Sequence, residues 1–259
     1  MSTVKPKKAL GQHFLREETT ARAIVDALTL RDCVLEVGPG TGVLTKYLLQ
    51  SEISKLKVVE IDHESVEYLL GHYPSTAGGL LEADFLKMDL GRLFGGDFAI
   101  IGNFPYNISS QIFFKILEVR DRVPEVVCMI QKEVAERIAS APGCRQYGIL
   151  SVFLQAWYDI EYLFTVPPGA FYPPPKVDSA VIRLRRNART TLGCDEKLFA
   201  RVVKGTFQQR RKTIRNSLRS AALPVPGALS AGGDYAAMRP EQLSVEDFIS
   251  LTQQVAQLM

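Results

Sequence analysis

The sequence predicts an α/β protein: a Rossmann-like, largely parallel sheet covered by helices, followed by a small C-terminal helical domain. Three observations lead there. Between Cys33 and about Arg185, short β-rich runs alternate with stretches of helical periodicity, the pattern of a parallel sheet with helices on both faces. The first strand-to-helix junction is glycine-rich. After Arg189 the character changes to helical and basic.

In order, the strand candidates are "CVLEV" (33–37), "LKVVEI" (56–61), "GLLEAD" (79–84), "FAIIGN" (98–103) and "EVVCMI" (125–130). Helices fit between them in "TGVLTKYLLQ", "ESVEYLLGHY", "SSQIFFKILEV" and "KEVAERIAS". "YDIEYLFTV" and "SAVIRLRR" read as strands flanking the loop "PPGAFYPPP", an antiparallel hairpin at one edge of the sheet. Then come the helical "DEKLFARVVKGTFQQRRKTIRNSLRSAAL", a Pro/Gly/Ala/Ser-rich stretch at 223–233, and a last helical segment. A boundary near 186–192 divides a catalytic domain, 1–188, from a small helical domain, 189–259.

With 46% hydrophobic and 23% charged residues in 259, the composition is that of a soluble globular protein. The longest obvious apolar run, "VVCMI", is far short of a membrane span. The opening "MSTVKPKKALGQHFL" has lysines but no hydrophobic signal core, so a cytoplasmic location is expected and no membrane partner. Cys33, Cys128, Cys144 and Cys194 are scattered, and His13, His63 and His72 lack ligand spacing. A metal-independent mechanism is therefore expected. Charge is segregated: Arg183 to Arg219 holds twelve Lys/Arg against Asp195 and Glu196, a local +10 in a chain of +3, leaving −7 elsewhere. Such a footprint suits a polyanion, nucleic acid first. A merely solvated basic helix is the alternative.

In "VLEVGPGTGVLT" (34–45), Gly38, Gly40 and Gly42 let a ligand approach the backbone, and Glu36 precedes them within the strand. The spacing is G-x-G-x-G; the dinucleotide fingerprint would place glycine at Val43. Glu60 ends the second strand about twenty residues on, where an acid binds a ribose diol. Asp84, in "EAD" at the end of the third, is placed to accept from an adenine amine. Nicotinamide adenine dinucleotide stays possible, but S-adenosylmethionine fits better because nothing here supports a pyrophosphate.

The fourth strand runs into "GNFPYNISS" (102–110). An adenine amino nitrogen has a delocalised lone pair and needs acceptors that hold its N–H bonds. The Asn103 side-chain carbonyl and the Phe104 main-chain carbonyl, before Pro105, suit that role. Tyr106 offers a face to a base drawn out of its helix. No strong base is needed; positioning and electrostatics suffice. Phe171, in the proline-stiffened "VPPGAFYPPPKVDSAV", is a candidate second wall, with a hydrophobic plug beneath the loop as its alternative. Arg210, Arg211, Lys212 and Arg215 are candidates for RNA phosphates.

Taken together, "KKALGQHFL", "LEVGPGTGVLT", "VVEID", "GNFPYNISS", "MIQKEVAERI", "YGILSVFLQ", "PPGAFYPPPKVDSAVIRL" and "FQQRRKTIRNSL" resemble the KsgA-type family of ribosomal RNA adenine dimethyltransferases. The resemblance covers residues 5–218 in family order. It implies S-adenosylmethionine-dependent conversion of two adjacent adenosines to N6,N6-dimethyladenosine in a hairpin loop near the 3′ end of small-subunit rRNA, in pre-30S or 30S particles. It also implies that "GQHFL" closes over the cofactor, with His13 and Leu15 in contact. Gly38, Glu60, Asp84 and Asn103 would line the cofactor; Asn103, Pro105 and Tyr106 would carry the target-amine motif; Phe171 would match the second stacking aromatic. His13 stands where many members have Asn, and Phe104 where Leu or Ile is usual. Rivals are a large-subunit rRNA adenine methyltransferase of the erythromycin-resistance type, a non-catalytic assembly factor and a nicotinamide oxidoreductase. Nothing in the sequence demands more than a monomer.

Overall fold

The computed structural model describes residues 4–226 and 235–259; residues 227–233 of the Pro/Gly/Ala/Ser-rich stretch, with Asp234, lie outside the described residues. In chain order the first elements are β1 (Phe14–Leu15), α1 (Glu18–Asp26), β2 (Cys33–Val37), α2 (Val43–Leu48), β3 (Lys55–Glu60), α3 (His63–His72) and β4 (Leu80–Glu82). There follow β5 (Ala99–Asn103), α4 (Ser109–Glu118), β6 (Glu125–Gln131), α5 (Lys132–Ala139), α6 (Ile149–Gln155), β7 (Tyr158–Val166), β8 (Phe171–Tyr172) and β9 (Ser179–Arg186). The chain closes with α7 (Glu196–Gln208), α8 (Ile214–Ser220) and α9 (Val245–Ala256).

The main sheet has the order β4-β3-β2-β5-β6-β9-β7. β2 pairs in parallel with β3 and β5, β3 with β4, and β5 with β6, while β9 runs antiparallel to β6. β2, β5 and β6 are apolar runs buried nearly end to end, as strands covered on both faces must be. Strand order reverses between β2 and β5, and a ligand crevice is expected outside the carboxyl ends at such a switch point. The expected edge hairpin is present as β9 and β7. The third strand is shorter than expected: it ends at Glu82, and Asp84 lies beyond it, capping the turn 85–87 by accepting the Leu86 amide at 3.0 Å. An Asp side chain that can bond the amide two residues on favours such a turn over continued pairing.

A second, two-stranded ribbon was not foreseen from the sequence. β1 and β8 pair antiparallel, Phe14 with Tyr172 and Leu15 with Phe171. The chain forms two compact units, Met1–Ala135 with Asp159–Arg186, and Glu136–Tyr158 with Asn187–Met259. The second thus holds a segment that a boundary at 186–192 leaves in the first. The reason is α6, whose Leu150, Val152, Phe153 and Leu154 are all buried. Phe153 meets Phe199 of α7 edge-on at 6.0 Å. No helix among the described residues is long and apolar enough to cross a membrane.

Candidate active site

The site is built from the carboxyl ends of β2, β3 and β5. Leaving β2, the chain turns sharply into α2 through Gly38, Gly40 and Gly42, with φ of +68°, +56° and +80°, a left-handed region that glycine enters without strain. At Gly40 a Cβ would also come within 2.8 Å of the Phe14 ring, so that ring lies directly on the loop. The Gly40 amide donates to Glu60 Oε2 at 3.1 Å, and the Ile61 and Asp62 amides each donate to Oε1 at 2.9 Å. Glu60 thereby ties the glycine loop to the end of β3. Burial raises its pKa above the ordinary carboxylate value even though three backbone donors oppose the change.

Below it lies Glu36, fully buried, its Oε2 accepting the Thr45 hydroxyl at 2.7 Å. Its Oε1 has no partner among the described residues. Burial pushes the Glu36 pKa up to about 8, with the Thr45 bond opposing and the Glu60 charge reinforcing the shift.

The N-terminal segment is strapped to the same strand ends. Lys7 Nζ donates to Asp62 at 2.5 Å, Gln12 Nε2 donates to Asp62 at 3.2 Å, and the Lys7 amide donates to Gln12 at 2.8 Å. Burial disfavours the Asp62 carboxylate, but its bonds from Lys7, Gln12 and Ser65 outweigh that and hold its pKa below the usual range. At the end of β5 the Asn103 side-chain amide donates to the His13 carbonyl at 3.0 Å, which sets Oδ1 as its acceptor end. His13 Nδ1 donates to the Pro173 carbonyl at 2.7 Å, and its ring stacks on Tyr106 with centroids 5.4 Å apart. The Tyr106 hydroxyl bonds the Ser179 hydroxyl. Phe104 is fully buried, edge-on to Phe113 at 5.8 Å.

A cavity of about 270 Å³ brings together His13, Leu15, Gly38, Gly40, Glu60 and Asp84 with Asn103, Phe104, Pro105 and Tyr106. Phe171 is placed elsewhere. It is 4% exposed and packs in the core cluster with Leu15 and Val166, the position that the hydrophobic-plug alternative gives it. In the second unit Arg211, Lys212 and Arg215 are exposed, whereas Arg210 is half-buried, donating to the Arg145 carbonyl and lying 3.8 Å from Glu241. The Lys7–Gln12–Asp62 strap and Ser179 escaped sequence reasoning. A second acid two residues after Glu60, in "VVEIDHE", was the available signal for the strap.

The lining has three acids, Glu36, Glu60 and Asp84, and no Lys or Arg among the described residues. A pyrophosphate would meet like charge there with no cation to offset it. A nucleoside carrying a positive centre suits it, and the orphaned Glu36 oxygen is an acceptor still to be satisfied.

The family model described as ribosomal RNA adenine dimethylase matches residues 3–256. Ribosomal RNA small subunit methyltransferase A of Bacteroides thetaiotaomicron is 57% identical over 264 residues, the match covering 100% of this chain and 97% of that protein. Among solved structures, a dimethyladenosine transferase from Plasmodium falciparum superposes with a TM-score of 0.78 at 25% identity, over 92% of this chain and 96% of that one. The 23S rRNA methyltransferase ErmE is also similar, with a TM-score of 0.67 and 28% identity over 94% of this chain and all of that one.

Proposed function

The chain belongs to the ribosomal RNA adenine dimethylase family, and on that premise we propose that it transfers methyl groups from S-adenosylmethionine to N6 of two adjacent adenosines in the 3′-terminal hairpin loop of small-subunit (16S) rRNA. The substrate is the pre-30S or 30S particle, and the enzyme acts as a cytoplasmic monomer in small-subunit biogenesis. Full-length 57% identity to a small-subunit methyltransferase, against 28% to a 23S enzyme, supports this target over the large-subunit alternative.

When bound, S-adenosylmethionine supplies an electrophilic methyl on a sulfonium. Glu60 and the Gly38–Gly40 loop would bind its ribose and Asp84 would accept from its adenine amine, with the Glu36 carboxyl buried beside the loop. Asn103 Oδ1 and the Phe104 carbonyl accept the two N–H bonds of the target amine and hold its nitrogen in line. Tyr106 stacks on the base, its ring backed by His13 and its hydroxyl anchored by Ser179. Positioning and electrostatics do the rest. The observation that supports the reading is that Asn103 lines the cavity while its amide donates to the His13 carbonyl, which leaves Oδ1 as its acceptor end.

The test is to incubate the purified protein with methyl-labelled S-adenosylmethionine and small-subunit particles lacking the modification, then digest and separate the nucleosides. Label is expected in N6,N6-dimethyladenosine, and lost with Tyr106→Ala while cofactor binding persists. Cofactor binding without label in that nucleoside would refute the assigned reaction.

A further inference from the structure

Tyr172 is the exposed aromatic among the described residues, at 48%, and the proposed methyl transfer leaves it without a task. Its place follows from the β1–β8 ribbon, where Phe14 opposes Tyr172 and Leu15 opposes Phe171. Directly opposed residues of an antiparallel pair project to the same side, and the next pair to the other. Leu15 and Phe171 turn into the core at 3% and 4% exposure. Phe14 lies on the glycine loop and lines the cavity. Tyr172 therefore shares the Phe14 side of the ribbon, turned away from the Leu15–Phe171 core, and faces solvent.

One face of the Tyr172 ring is taken by the Arg16 guanidinium, 4.0 Å from the ring centroid. Arg16 is exposed and has no ion-pair partner among the described residues. The next residue, Pro173, accepts the bond from His13, whose ring stacks on Tyr106. Tyr172 is thus mechanically linked to the loop proposed to hold the target base. A solvent-exposed aromatic with a cation behind it is the kind of surface on which an unpaired base stacks next to its phosphate. A target adenine drawn out of its stack leaves a neighbour with one bare face.

We propose that Tyr172, backed by Arg16, is a stacking platform for the unpaired nucleobase adjacent to the target adenosine, with the Arg16 charge meeting the phosphate between the two. For a pair of adjacent adenosines, the occupant is whichever adenine is outside the cavity. This rests on the rRNA adenine methyltransferase reading of the site.

The test uses small-subunit particles assembled with rRNA that carries adenine, 2-aminopurine or an abasic site beside the target adenosine. Binding of the wild type is expected to quench the 2-aminopurine fluorescence. Tyr172→Ala abolishes the quench and raises KM for particles by roughly ten- to a hundredfold, with S-adenosylmethionine binding unchanged; Tyr172→Phe restores both. On abasic particles the KM of the wild type rises to that of Tyr172→Ala, and the variant loses nothing further. An unchanged KM and quench in Tyr172→Ala, or a loss that is equally large on abasic particles, overturns the platform alone. Absence of methyl transfer by the wild type to the adenine-bearing particles overturns the underlying reading and the platform with it.

Discussion

Glu125 opens β6 at 1% exposure and accepts hydrogen bonds from the Thr29 amide and hydroxyl and the Leu30 amide at 2.8 to 3.0 Å, with Arg185 3.8 Å away. Glu36 is buried as deeply but has Thr45 for one oxygen and no partner for the other among the described residues. The first acid is a satisfied structural brace; the second is held neutral by burial, with its pKa near 8. Because that pKa is raised on folding, the Glu36 contribution to stability is complete below the ordinary 4.5. It is lost progressively as pH rises toward about 8. Glu36→Gln, which mimics the neutral acid, is expected to match the wild type near pH 4.5 and to exceed it by up to a few kcal/mol near pH 8. Chemical denaturation across that window checks this, and a gap that does not grow with pH would show the carboxyl to be ionised in the folded protein.

The turn between α7 and α8 separates roles that the basic run left merged. Arg210 bonds the Arg145 carbonyl and faces Glu241, both within its own compact unit, while Arg211 and Arg215 project into solvent. Replacing Arg211 and Arg215 by Ala is expected to weaken binding to particles and to flatten its salt dependence, the slope falling by about one for each phosphate left unneutralised. Arg210→Ala should lower stability by about 1 kcal/mol, because its hydrogen bond is removed, with a smaller change in salt slope. Filter binding over a salt series, alongside thermal melts, separates the two; identical slopes for all variants would remove this segment from the RNA interface. At the same scale, β2, β3, β5 and β6 lie within a residue or so of their sequence limits because apolar runs bounded by turn residues are local signals. The two-residue β1 and β8 have no such signal. Each exists only because the other passes within bonding distance.

Across the whole molecule, charge is divided by place. The positive excess sits between Arg183 and Arg219, while the charged side chains lining the cavity at the sheet's switch point are acids, with no Lys or Arg among the described residues. A ligand that binds the folded state alone stabilises it by about 2.7 kcal/mol at a hundred times its Kd. S-adenosylmethionine is therefore expected to raise Tm by several degrees, and nicotinamide adenine dinucleotide to leave it unchanged. Protection by the dinucleotide alone would reverse the assignment of the cavity.

The α/β order, the glycine loop, and the acids and Asn103 at successive strand ends were legible in the chain itself. Periodicity and turn chemistry act over a few residues, and parallel strands bring their carboxyl ends together at one edge of the sheet. Only packing could tell which of two neighbouring aromatics is a plug and which faces solvent, since Phe171 and Tyr172 differ in the side they take of a ribbon formed with a segment far away in the chain. Packing likewise brings Lys7 to Asp62, 55 residues on, makes Arg210 a brace and keeps Glu36 a neutral acid. Burial and partnership belong to the neighbours that the fold supplies, and no local stretch of sequence carries them.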